Sequence, residues 1–179
     1  MRVSRLAAIA VLAYVTTVGA QTQKDPLSQA IREGWNSAKR NMSGSAKVMP
    51  EAKYGFRPVD TVRTFGQILA HVAGANFEFC SAARGEKSPH AEDEFEKSAT
   101  TPAAITKALQ DSIAYCDAAY ASLTDAGAVE IINGPFGGGK QPRAAALMGN
   151  TSHNNEHYGN LVTYLRINGL VPPSSAPSR

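Results

Sequence analysis

Four stretches of the chain carry apolar side chains at spacings of three and four residues, which is the pattern of an amphipathic α-helix. This pattern predicts helices over residues 26–47, 61–84, 102–124 and 142–168. At 1.5 Å per residue each helix would be about 30–40 Å long, and four such helices can enclose one core. The sequence therefore predicts an all-α four-helix bundle with its core over about residues 26–170, followed by a Pro/Ser-rich tail.

The connection between the second and third predicted helices is long and charged, with the sequence EKSPHAEDEFEKSATTP. We expect this segment to be an exposed crossover. At about 3.3 Å per residue it can return along the whole length of the bundle. The second and third helices can therefore run parallel or form an antiparallel hairpin, and the residues alone leave both arrangements open.

The first 20 residues have the pattern of a secretory signal peptide. Arg2 and Arg5 precede an apolar run, which the small residues Gly19 and Ala20 end. A membrane anchor is the alternative, but the run is short for a span of about 20 residues. We therefore expect cleavage after residues 1–20, a periplasmic or secreted protein without membrane attachment, and a single domain.

That single domain would comprise residues 21–179. Its charges are mixed in sign and give a formal net charge of +3, which does not indicate a nucleic-acid partner. Cys80 and Cys116 fall on the second and third predicted helices. In an oxidising compartment they would form a disulfide, and otherwise they are two separate buried thiols. The sequence does not distinguish a monomer from a homodimer.

Two histidines on the last predicted helix, His153 and His157, are four residues apart and therefore lie on one helical face. Such a pair can bind one metal ion but needs a third ligand. His71, in the apolar stretch FGQILAHVAGANFEFC, is the candidate, although a lone histidine there is more often a core residue. Three imidazoles with an open coordination position form one kind of catalytic metal site. Zn, Ni, Mn and Fe all accept imidazole, so the residues do not identify the metal.

Two further motifs in the chain are similar to known functional sites. The spacing H-x-x-E-H at residues 153–157 matches inverted zinc peptidases, but only 22 residues follow it, and they lack the required carboxylate. We retain Glu156 as a candidate base or hydrogen-bond partner of the metal ligands. The segment GPFGGGKQ at residues 134–141 is similar to a P-loop but has Gln141 in place of Ser or Thr, and no strand is predicted before it. His90, in the crossover, is predicted to be solvated.

The segments MPEAKYGFRPVDTVRTFGQILAHVAGANFEFC and HNNEHYGNLVTYLRINGLVPPSS resemble the DinB superfamily over about residues 26–175. The most specific features are the histidine in LAHVA and the pattern H-x-x-x-H-x-G-x-L-x-x-Y-L-R near the end. The resemblance implies a four-helix bundle in up-down-down-up order and a divalent ion held by His71, His153 and His157. Characterised relatives include transferases and an isomerase that use thiols such as bacillithiol, mycothiol or glutathione.

These observations together predict an exported, metal-dependent transferase or hydrolase that acts on a small molecule of unknown identity. A non-catalytic bundle that binds a metal or a small molecule is the alternative function. A third interpretation, three buried histidines with a purely structural role, also fits the residues.

Overall fold

A computed structural model describes residues 24–177 of the 179-residue chain, and the predicted signal peptide lies outside this range. The described chain is mostly helical. Its α-helices are α1 (Pro26–Val48), α2 (Phe65–Arg84), α3 (Glu94–Ser98), α4 (Pro102–Ala121), α5 (Asp125–Ala128) and α6 (Arg143–Ile167). Two short antiparallel strands, β1 (Ile131–Asn133) and β2 (Lys140–Pro142), form a hairpin before α6. Within residues 24–177, none of the helices combines the length and the apolar character that crossing a membrane requires.

The four long helices α1, α2, α4 and α6 confirm the four predicted segments, although α2 begins four residues later than predicted. Thr64 explains this start because it forms a capping box with Gln67. The Thr64 hydroxyl accepts from the Gln67 backbone N–H at 3.2 Å, and the Gln67 side chain accepts from the Thr64 N–H at 2.8 Å. Pro102 opens α4 as predicted, with the Thr101 hydroxyl accepting from the Ala104 N–H at 3.2 Å.

Two apolar clusters form the core between the long helices. The first includes Met42, Phe65, Leu69, Leu109 and Leu161. The second includes Trp35, Cys80, Cys116, Tyr120 and Leu147. On α2, the buried amide of Asn76 lies between Val72 of the first cluster and Cys80 of the second.

A disulfide joins α2 to α4 through Cys80 and Cys116, whose Cα atoms are 5.3 Å apart. Of the two alternatives that the sequence left open for these cysteines, a disulfide or two separate buried thiols, the structure has the disulfide. Cys80 is the sixteenth residue of α2 and Cys116 the fifteenth of α4. One turn before the bond, Asn76 Nδ2 donates to Ser112 Oγ at 3.1 Å.

Part of the crossover between α2 and α4 packs against α2. His90, expected to be solvated, packs on the ring of Phe77 with centroids 4.6 Å apart and donates to Glu94 at 2.9 Å. Gly74 of α2 permits the close approach, because a Cβ atom there would overlap the carbonyl oxygen of Glu92. The crossover therefore lies against α2 at this point, although its residues remain exposed or half-buried, as predicted, and His90 is half-buried rather than fully solvated.

The P-loop-like segment 134–141 forms the turn of the β1–β2 hairpin and the start of β2. Phe136 adopts a left-handed backbone conformation with φ of 55°, and its ring meets the edge of Phe79 at a centroid distance of 5.0 Å. The strands that flank the turn are three residues long and largely exposed. The segment therefore lacks the buried strand that a P-loop requires.

We predict that reducing the disulfide destabilises the protein. The bond closes a loop over a sequence separation of 36 residues. By the loop-entropy estimate it contributes about 3–4 kcal/mol to the free energy of unfolding. Denaturant titration of oxidised and reduced protein measures the difference. In the control, the double variant Cys80→Ala/Cys116→Ala, reductant should not change the free energy of unfolding. Two free thiols per chain in denatured, unreduced protein would contradict the bond.

Candidate metal centre

Three histidine side chains from two helices meet at one point beside the core. His71 is on α2, and His153 and His157 are on successive turns of α6. The Nε2 atom of His153 lies 3.1 Å from Nε2 of His71 and 3.2 Å from Nε2 of His157. One ligand atom from each of the three lies within 4.8 Å of the others. The structure thus brings together the three histidines that the sequence singled out.

Burial and mutual repulsion favour the uncharged forms of His153 and His157. His71 and His157 are buried and His153 is half-buried. Burial, together with the neighbouring His157, His71 and Arg63, lowers the pKa of His153 to about 3. Burial and the charges of His71 and Arg63 also lower the pKa of His157, against a smaller opposing effect of Glu156 and Glu96. Neutral imidazole is the form that binds a metal ion.

A carboxylate from the crossover orients His71. The Nδ1 atom of His71 donates to Oε1 of Glu96 at 2.9 Å. Glu96 also accepts from Nε and Nη2 of Arg63 at 2.8 and 3.3 Å. Burial raises the pKa of the Glu96 carboxyl, but the hydrogen bonds and charges of Arg63 and His71 outweigh it, so the pKa lies below its ordinary value. An ionised carboxylate only accepts, so Nδ1 of His71 is the donor, and the neutral form of this imidazole has its lone pair at Nε2.

The donor set fits a divalent ion. The Nδ1 atoms of His153 and His157 are buried and make no hydrogen bond with any described residue, while all three Nε2 atoms converge. Nε2 of His153 has a single site, which holds either a proton or a lone pair, so it cannot form hydrogen bonds with both neighbouring Nε2 atoms, whereas a cation can accept the lone pairs of all three. A histidine that donates its other N–H to a carboxylate is the usual partner pattern of a metal ligand.

Glu156, the predicted base, is exposed and forms no hydrogen bond or ion pair within residues 24–177. It acts on the cluster only through its charge, which raises the pKa of His157. Its catalytic role stays a prediction.

Sequence analysis missed Glu96 and Arg63, which lie far from the histidine motif along the chain. Both come from connecting segments rather than from long helices. The only signal in the sequence was the acidic content of the crossover, and four carboxylates between residues 92 and 96 gave no way to choose one.

A buried amide network places α6 against α2 beneath the cluster. Nδ2 of Asn154 donates to Oδ1 of Asn76 at 2.8 Å and to the carbonyl of Asn150 at 2.9 Å. Beside it, the ring of Phe79 packs against His153 at a centroid distance of 5.8 Å. These contacts fix the register of the two helices that supply the imidazoles.

Residues 35–161, most of the chain, match the sequence profile of the DinB superfamily. The chain belongs to the DinB superfamily. No protein among the curated sequences compared matches it. Solved structures with the same fold include a DinB-like protein from Bacillus cereus ATCC 10987, with a TM-score of 0.66 and 18% identity over 84% of this chain and 96% of that one.

Two further solved structures share the DinB fold. A mycothiol-dependent maleylpyruvate isomerase has a TM-score of 0.62 and 20% identity, over 75% of this chain and 60% of that one. A conserved protein from Enterococcus faecalis has a TM-score of 0.59 and 14% identity, over 76% of this chain and 94% of that one. At these identities the likeness establishes the fold, and the function rests on the residues of the site.

We predict that metal-free protein loses stability in acid through His153. The pKa of His153 in the folded state, about 3, is below its ordinary value of 6.5, so between these values the unfolded state binds more protons. The contribution of neutral His153 is therefore complete above pH 6.5 and is lost as the pH falls towards 3. Denaturant titrations across this range should show a shallower loss for His153→Gln than for wild type.

His90→Gln is the matched control for this experiment, because His90 lies outside the cluster. It should keep the wild-type slope. An unchanged slope in His153→Gln would contradict the burial of a neutral imidazole at this position.

Proposed function

We propose that this DinB-superfamily chain binds one divalent metal ion through His71, His153 and His157 and acts as a metal-dependent transferase or hydrolase of a small molecule. The observation that carries the proposal is the convergence of three Nε2 atoms at distances of 3.1 and 3.2 Å along the cluster. Zn, Ni, Mn and Fe are all compatible with three neutral imidazoles.

With three protein ligands, a bound ion keeps a position for substrate or water and supplies Lewis acidity, which polarises a carbonyl or makes a water or thiol more acidic. The chain supplies the remaining functions. Glu96 holds the proton of His71 at Nδ1, so that Nε2 stays available as a ligand. Burial keeps His153 neutral. Glu156, exposed one residue before His157, is our candidate for moving a proton to or from the substrate.

The similarity to a mycothiol-dependent isomerase supports low-molecular-weight thiols as the first co-substrates to test. At 20% identity this similarity concerns the fold, so hydrolysis of small esters or amides is tested beside thiol transfer.

We also propose the up-down-down-up order for the long helices. Asn76 pairs with Ser112 and Cys80 with Cys116, so residue numbers rise together along α2 and α4, which supports parallel helices. Along α1 and α4 with the turn that follows it, and along α2 and α6, the residue numbers of contacting pairs run in opposite directions, which supports antiparallel helices. The pairs are Arg32 with Leu123, Lys39 with Asp117, Asn76 with Asn154, and Cys80 with Asn150.

Export to the periplasm or outside the cell remains our proposal as well. The signal-peptide pattern of residues 1–20 motivates it, and the Cys80–Cys116 disulfide supports it, because such bonds persist in oxidising compartments.

We predict about one divalent ion per chain in protein purified without a histidine tag, as expected for a three-ligand site. His71→Ala removes the ligand that α2 supplies. Loss of a residue that only hydrogen-bonds a metal ligand typically lowers the metal affinity about ten- to hundredfold, and loss of the ligand itself should lower it further. Elemental analysis after dialysis and competition with a chelating dye measure both quantities. His90→Ala, which removes a histidine outside the cluster, should keep the wild-type occupancy, and full occupancy in His71→Ala would exclude His71 as a ligand.

We predict that Glu96 strengthens metal binding through His71. Glu96→Ala should weaken the metal affinity by about ten- to hundredfold, the usual effect of losing the partner of a ligating histidine. Glu96→Gln keeps an acceptor for Nδ1 and should show a smaller loss. Glu94→Ala is the control, since Glu94 lies on the same short helix and pairs with His90 instead. Equal affinity in Glu96→Ala and Glu94→Ala would contradict this role.

A panel of thiol-transfer and hydrolysis substrates, with metal-free protein as the control, tests the enzymatic part of the proposal. Metal-dependent turnover is the expected result. If Glu156 is the base, Glu156→Gln should retain the metal and lose about hundredfold or more in turnover. Full metal occupancy without turnover across the panel would favour the non-catalytic binding function.

A further inference from the structure

A cavity of about 680 Å³ adjoins the histidine cluster, and His157 forms part of its wall. The segment before α2 supplies one side of this cavity and α6 the other. Its volume is sufficient for a small molecule. Because a metal-ligand candidate lines it, a molecule in this cavity would reach the cluster.

The described wall of the cavity carries a positive side chain and no acidic one. Arg63 lines the cavity, and no Asp or Glu is among the described residues that do so. Nε and Nη2 of Arg63 donate to Glu96, which fixes the orientation of the guanidinium. Nη1 makes no hydrogen bond within residues 24–177, and the side chain is 45% exposed. A guanidinium that is held on one edge and open on another is suited to a carboxylate.

Neutral polar groups and apolar side chains complete the binding surface. Asn160 and Thr163 present an amide and a hydroxyl from α6, and Ile68 supplies a buried apolar contact from α2. Such a wall can bind the oxygens of an anion and the carbon skeleton attached to it.

We propose that the substrate of this protein carries a carboxylate, which the guanidinium of Arg63 binds in this cavity beside His157. This inference rests on the proposed function, since it makes the cavity the substrate pocket of the histidine site. Arg63 then has two tasks: it orients Glu96 behind His71 and it selects an anionic substrate.

The test is a calorimetric titration of metal-loaded protein with succinate and with its neutral analogue succinamide. Succinate should bind and succinamide should bind at least about tenfold more weakly. Arg63→Met should weaken succinate binding about ten- to hundredfold, the range for a lost hydrogen bond to a charged group. Arg57→Met is the matched control, because Arg57 pairs with Asp60 in the same segment but does not line the cavity. It should leave succinate binding unchanged.

A second pair of variants avoids the contact between Arg63 and Glu96. Asn160→Asp adds a carboxylate to the cavity wall at constant size and should weaken succinate binding about tenfold or more by repulsion. Asn155→Asp adds the same charge to an exposed position of α6 that lines a different cavity, and it should have no effect. Succinate binding that is the same in wild type, Arg63→Met and Asn160→Asp would overturn the inference.

Metal content is measured separately for every variant. A protein that holds its metal but binds succinate independently of Arg63 and Asn160 refutes the inference and leaves the proposed function standing. A wild-type protein that holds no metal refutes the proposed function, whatever the succinate titration shows.

Discussion

The burial of α2 on nearly every side is the constraint on which the rest of the structure depends. Fifteen of its 20 residues are buried, against α4, α6 and the crossover. Small side chains allow three neighbours to approach one helix, and Gly74 is the extreme case because the backbone of Glu92 lies directly on it. A polar side chain on such a helix must find partners on the neighbouring elements, since a buried polar group without one is costly.

His71 and Asn76 are the clearest results of this constraint. His71 donates to Glu96 of the crossover and contacts the imidazoles of two α6 histidines. Asn76 donates to Ser112 of α4 and accepts from Asn154 of α6. The inward face of α6 is apolar towards both ends, but in its middle it carries the buried side chains of Asn150, Asn154 and His157. Directional hydrogen bonds there add to the apolar packing in setting the register, and the same register brings the histidines together.

The sequence predicted what depends on local spacing. Helical periodicity identified the four long helices, and an i, i+4 spacing placed His153 and His157 on one face, because both follow from the geometry of a single helix. His71 could be chosen because it is a histidine within an apolar stretch. Each of these inferences needed no knowledge of how distant segments meet.

The features that were missed depend on contacts between segments. Glu96 reaches His71 only because the crossover lies on Gly74, and no spacing within the crossover encodes that path. The start of α2 was predicted too early, because residues 61–64 were read as helix rather than as the approach to a cap. Counted from residue 61, Cys80 lies four residues further along its helix than it does when counted from Phe65, which is about 6 Å at 1.5 Å per residue.

The disulfide also has a topological effect, because it converts the crossover into a covalent ring that contains α3 and Glu96. Proteins with long connections can form intertwined dimers by exchanging an identical element between two copies. With Cys80 and Cys116 joined, α2 and α4 cannot separate at the crossover, so such an exchange would have to move both helices together. The oxidised chain thereby keeps the carboxylate and the histidine that it orients in the same molecule.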